Sequence, residues 1–160
     1  MDWTAHGESN RGHGMSTEAE THPDEASEAL RGLSGPETGT LTIELPFLPP
    51  RALSPNARGH WSKRYKAGKV LGDSVWVRAR EVAPPEPWDR VTVQYKVYWC
   101  GKVPDPDNFI ASMKPALDGI VRAGVIVDDG PEYVTILPVT NERVAHRPQA
   151  RVEITVVRVA

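Results

Sequence analysis

Four aspartates in two short clusters are the residues of this chain best suited to chemistry. Asp105-Pro106-Asp107-Asn108 opens the first cluster and Asp128-Asp129 forms the second, with Lys114 and Asp118 between them. Pro106 pushes Asp105 toward an extended conformation. Alternate residues of an extended segment point the same way, so Asp105 and Asp107 are expected to project together. Carboxylates that converge and stay ionised need a balancing cation. Hard oxygen donors with no His or Cys among them suit Mg²⁺ or Mn²⁺. Taken singly, each cluster has a blander reading. Asp128-Asp129-Gly130-Pro131 is ordinary turn chemistry, and for Asp105 and Asp107 a cap or turn role is as good an account as a site. The joint arrangement, with a lysine between the clusters, favours a site. An EF-hand loop does not fit: counted from Asp105, Ile110 stands where that loop needs Gly and Ala116 where it needs Glu.

A helix must hold the two clusters apart. Phe109, Ile110, Met113, Ala116, Leu117, Ile120 and Val121 recur at three- and four-residue spacing, the mark of one buried helical face. Asp107 is a suitable N-cap and Gly124 a suitable stop. Pro115 removes a helical hydrogen bond, but the apolar spacing runs through it. One kinked helix is therefore expected, with Asp107, Lys114 and Asp118 on a single polar stripe.

Upstream, residues 51–80 contain eight bases (Arg51, Arg58, Lys63, Arg64, Lys66, Lys69, Arg78 and Arg80) against one acid, Asp73. Trp61, Tyr65 and Trp76 are interleaved with them. Leu71, Val75, Ala79 and Val82 give the apolar stripe of a helix over 62–82, with Lys66, Lys69, Asp73, Trp76 and Arg80 on another face. Basic and aromatic side chains together suit phosphate contact and base stacking. The alternative is a merely solvated helix face. Arg58, Lys63, Lys66, Lys69 and Arg80 are the candidate DNA contacts, with Arg143 and Arg147 in a second patch.

The string DPDNFIASMKPALDGIVRAGVIVDD resembles the signature block of the RusA family of Holliday-junction resolvases, found in bacteria and their phages. The resemblance extends loosely over residues 41–159 and is specific at 105–129. It departs in one place, where three residues stand between the Asp-Asn pair and Lys114 beyond the founding member's spacing. The resemblance implies a Mg²⁺-dependent homodimeric endonuclease that resolves four-way DNA junctions. It implies that Asp105, Asp107 and Asp129 bind the metal, that Asp128 is a neighbour of lesser weight, and that Lys114 helps at the scissile phosphate. Two rivals stay open: a non-catalytic DNA-binding protein of the same fold, and a metal-dependent phosphohydrolase acting on nucleotides.

The chain's 160 residues suffice for one domain with a real core. Formal net charge is −2, but residues 1–40 hold eight acids and two bases, leaving 17 bases and 13 acids, a net of +4, in the remainder. The first 40 residues, rich in Gly, Ser, Thr, Glu and Pro, read as a disordered acidic tail. Its His6, His13 and His22 read as scattered and solvated, and Met15 offers an alternative start. No signal peptide is visible and no stretch is apolar enough to span a membrane. Cys100, the only cysteine, closes an apolar strand and is expected to pack there; no intrachain disulfide is possible, which fits a cytoplasmic protein.

Residues 41–160 are expected to form one α/β (α+β) domain. Strands are expected at 41–45, 90–100, 133–139 and 151–159, with 141–148 as a connection. The order would be β-α-β-α-β-β, two helices packed on one mixed sheet.

Overall fold

The structure, a computed structural model, describes residues 39–103 and 105–160. The expected acidic tail, with its three histidines and Met15, lies outside the described residues apart from Gly39 and Thr40. Strand β1 (Thr40–Leu45) begins one residue earlier than its alternation suggested. A short 3₁₀ turn at Arg51–Leu53 leads to helix α1 (Trp61–Glu81). Strand β2 (Val91–Trp99) follows, then helices α2 (Pro106–Ser112) and α3 (Lys114–Arg122). Strands β3 (Val134–Ile136), β4 (Thr140–Arg143) and β5 (Arg151–Arg158) complete the fold.

The sheet is mixed, with the helices packed against it. Its order is β1-β5-β2, with β3 and β4 both on the far side of β2. Strand β5 is antiparallel to β1 and to β2, while β3 and β4 run parallel to β2. One face is apolar throughout. Ile43, Ile154 and Tyr95 stand in one register row, and Leu45, Val152 and Val97 in the next, all buried. Each aliphatic side chain so buried contributes about 1.5–3 kcal/mol. Burial pushes the Tyr95 phenol well above its usual pKa, so it stays neutral and packs as a core ring. The other face carries polar residues, including the Lys96–Glu142 pair at 3.1 Å and Tyr98 beneath the Arg151 guanidinium, 3.5 Å from the ring centre.

The helices cover the apolar face and meet at glycines. A Cβ placed on Gly119 of α3 would come within 2.5 Å of the Gly72 carbonyl oxygen of α1, and one on Gly72 would lie 3.0 Å from the Pro115 oxygen. Helix α1 buries Leu71, Val75 and Ala79 as expected, but Val82 is its C-cap and is exposed. The helix ends at Glu81, so its buried stripe stops at Ala79, one turn before the apolar spacing does.

Three further expectations are corrected. The single kinked helix is two helices that join at Met113, which is both the end of α2 and the N-cap of α3. Pro115 has no N–H to donate and fits the first turn of a new helix better than the middle of an old one. The expected strand 133–139 is shorter, Val134–Ile136, and a second strand, Thr140–Arg143, follows it. Ile136 pairs with Val93 and Thr140 with Lys96, so four steps on one side match three on β2. Pro138 sits in this bulge, where no ladder N–H is needed, and the expected connection at 141–148 begins with strand β4 instead. Cys100 lies just beyond β2, half-exposed, its thiol 3.7 Å from the Ala145 carbonyl oxygen.

Gly124 stops α3 as its position suggested. It has φ 78°, and the N–H groups of Gly124 and Val125 return to the carbonyls of Val121 and Ile120. Among the described residues, no helix is long and apolar enough to cross a membrane.

The glycine crossing makes a stability prediction. Gly119→Ala sets a methyl group against backbone, so denaturant unfolding should show destabilisation by about 1–3 kcal/mol. Gly59→Ala, which meets nothing within 4 Å, should change stability by less than about 0.5 kcal/mol. Equal stability of the two variants would contradict the close crossing.

Candidate functional site

Helix α2 is fixed to the end of β2 by Phe109. Its ring packs edge-on against Tyr95 and Trp99, at centroid distances of 5.9 and 6.2 Å. This holds the start of the helix, and the first carboxylate cluster, just past the C-terminal end of β2. Asp105, not Asp107, is the N-cap: its Oδ1 accepts the N–H groups of Asp107 at 3.0 Å and Asn108 at 3.3 Å. Pro106 occupies the first helical position, so the cap falls on the residue before it. Asp107 lies in the first turn with its carboxylate exposed, and no described residue donates to it. Asn108 Oδ1 accepts from Asn56 Nδ2 at 3.3 Å, which ties the loop before α1 to this cluster.

The second cluster lies between Ile126, bridged to Trp88, and the start of β3. Asp128 Oδ1 accepts the Asp129 N–H at 2.7 Å and fixes the turn. The Asp129 side chain is only 21% exposed, and the Lys114 ammonium sits on its Oδ2. That oxygen is shielded from solvent and takes no other donor among the described residues. Lys114 also reaches Asp118 Oδ1 at 3.1 Å, one turn along α3. Lys114 therefore joins α3 to the second cluster. Asp107 is not among its partners, because the break at Met113 puts Asp107 on a different helix from Lys114 and Asp118.

The donor set has the chemistry Mg²⁺ prefers, hard oxygens with one shielded carboxylate oxygen facing only a cation. The oxygens belong to separate clusters. Among the described residues, no group of three or more His, Cys, Asp or Glu side chains could hold a metal ion.

Beside Lys114 runs a groove of about 800 Å³ between α1 and the α2–α3 pair. Trp61, Tyr65, Arg64 and Lys69 line it from α1, and Lys114, Asp118 and Arg122 from α3. Arg122 is held by Asp73 at 3.0 Å and lies over the Trp76 ring at 5.6 Å. Of the expected DNA contacts, Lys69 faces the groove. Lys63, Lys66 and Arg80 are exposed elsewhere on α1, and Arg58 lines a second hollow with Arg51 and Asn56. Arg143, on β4, and Arg147, in the 3₁₀ turn Arg147–Gln149, are exposed on the edge that pairs with the end of β2.

Three contributors were not singled out from sequence. Arg122 continues the polar stripe of Lys114 and Asp118 at four-residue spacing, so its place could have been found. Asp73 and Asn56 act across contacts 49 and 52 residues long, which no local pattern marks.

No family model matches the chain. An uncharacterized protein of Xylella fastidiosa (strain Temecula1) is 33% identical over 125 residues, which is 71% of this chain and 75% of that protein. The two belong to one family. That kinship brings no activity with it, so the site's chemistry rests on its own residues.

The Lys114–Asp129 pair can be measured directly. Lys114→Ala, Asp129→Asn and the double variant should form a cycle with a favourable coupling of about 0.5–1 kcal/mol, as for a pair whose lysine is still reached by water. A coupling of zero in unfolding experiments would remove Lys114 from the second cluster.

Proposed function

We propose that this chain is a Mg²⁺-dependent, structure-selective DNA endonuclease of the RusA type, which cleaves four-way junctions as a homodimer in a bacterial or phage-infected cytoplasm. The observation that supports this best is the pairing of Lys114 with Asp129 at the mouth of a groove lined by aromatic and basic side chains. A positive charge beside a shielded carboxylate suits phosphodiester chemistry, and the groove suits a nucleic-acid substrate.

In this reading Asp105, Asp107 and Asp129 hold the metal, with Asp128 fixing the turn that presents Asp129. The metal, when bound, supplies a lowered water pKa and charge stabilisation at the leaving oxygen. Lys114 neutralises charge on the scissile phosphate, and Asp118 holds its ammonium near that position. Lys63, Lys66, Lys69, Arg80, Arg58, Arg143 and Arg147 contact phosphates away from the reacting bond. Two equivalent strands of a four-way junction call for two equivalent active sites, which a twofold dimer provides. Carboxylates that stay apart would also suit a non-catalytic DNA-binding protein of the same fold, and cleavage assays separate the two readings.

Purified protein should cleave a synthetic four-way junction with Mg²⁺, leave linear duplex intact, and be inactive in chelator. Asp107→Asn removes ligand charge and little volume, so it should abolish cleavage while junction affinity changes by less than about threefold, within roughly 0.6 kcal/mol. Full activity of that variant sinks the metal assignment. Lys66→Ala with Lys69→Ala should make the slope of log affinity against log salt shallower by about 0.9 for each phosphate that is no longer neutralised. Affinity should fall alike for every junction sequence, because phosphate contacts position DNA without reading bases. An unchanged slope would turn both lysines away from DNA.

A further inference from the structure

The groove beside Lys114 is unlike a surface shaped only for duplex backbone. Trp61 and Tyr65, one helical turn apart on α1, are 72% and 67% exposed, so two large aromatic faces stand in water at its edge. The floor is open because residue 68 is glycine: a Cβ there would already touch Pro115 Cγ at 3.4 Å and Leu53 Cδ2 at 3.7 Å. Arg64 and Lys69 stand on the same wall, and among the described residues neither forms an ion pair. Lys114 stands on the opposite wall. The groove's volume of about 800 Å³ falls within the roughly 300–1,000 Å³ typical of sites that enclose small ligands.

Aromatic faces between cations fit a base with its phosphates on either side. The base must be unpaired, because a stacked base pair offers only its edges to a protein, whereas a free base offers a face for stacking. We infer that this groove seats an unpaired base of single-stranded DNA, stacked on Trp61 or Tyr65, with the adjoining phosphates held by Arg64, Lys69 and Lys114. The inference rests on the nuclease reading for its placement, since it puts the unpaired base next to the scissile phosphate. A junction's branch point is where base pairing is most easily interrupted, so the groove would select branched DNA by the availability of such a base.

The test uses the full chain and a fluorescently labelled short oligothymidylate, with labelled duplex and thymidine monophosphate as comparisons. Trp61→Ala with Tyr65→Ala should weaken oligothymidylate binding by about tenfold or more, given roughly 1–3 kcal/mol per stacked base. Duplex affinity should change by less than about twofold. Trp61→Phe, which keeps a stacking face, should retain most of the binding. Overturning results are no oligothymidylate binding by the parent chain, parent-like affinity in the double variant, or monophosphate bound as tightly as the oligomer. The two readings fail separately. A parent chain that cleaves no junction with Mg²⁺ defeats the nuclease reading, while oligothymidylate binding that depends on Trp61 and Tyr65 still supports the groove.

Discussion

Two helices cross here at a distance that only glycine permits, and the site's layout depends on it. Gly72 and Gly119 let the backbone of α1 and α3 approach until a methyl group on either would press on a carbonyl. The Pro115 oxygen that Gly72 meets is one residue from Lys114, so the same contact sets where the lysine stands relative to α1. A wider crossing would move the aromatic wall away from the cationic one. The groove therefore depends on a missing pair of methyl groups more than on any attractive contact across it.

The carboxylates are positioned by different means. Asp105 is fixed by its cap bonds, and through α2 by Phe109 wedged against Tyr95 and Trp99. Asp129 is fixed by a tight turn and an ammonium. Each cluster is thus tied to its own segment of backbone, one following β2 and the other preceding β3. Lys114, at the first residue of α3, lies between them in sequence and is bonded to the second. Its charge meets the demand of a shielded oxygen that would otherwise have no partner, a situation that is costly in a poorly solvated setting.

Period and punctuation made much of this legible from sequence. The alternation of Leu41, Ile43 and Leu45 and of Val91, Val93, Tyr95 and Val97 matches the faces that β1 and β2 bury, and the apolar spacing from Phe109 to Ile120 marked the right side of both short helices. Gly124 was readable as a stop because a left-handed residue is needed there. The failures cluster at prolines. Pro106 moved the cap from Asp107 to Asp105, Pro115 began a new helix where the apolar spacing runs on, and Pro138 lies beyond a strand that ends at Ile136, short of the apolar run. In each case the residue was noticed or noticeable, but its effect depends on which backbone donor the fold can spare, and that is a tertiary question. The groove lay beyond local reading for the same reason. Basic and aromatic residues on α1 were evident, whereas the wall facing them comes from residues some 50 positions later.

The strand that comes last in the chain lies in the interior of the sheet. Strand β5 separates β1 from β2 and is hydrogen-bonded to both. While the chain is being made, at about 5–20 residues per second, everything through residue 150 can emerge before that central place is filled. Until then β1 and β2 each present an unpaired edge and an apolar face, the combination that invites strand exchange with another chain. The sheet of this domain therefore cannot close until β5 has been made. A chain halted a few residues before Arg151 would hold both carboxylate clusters and lack the strand that joins β1 to β2.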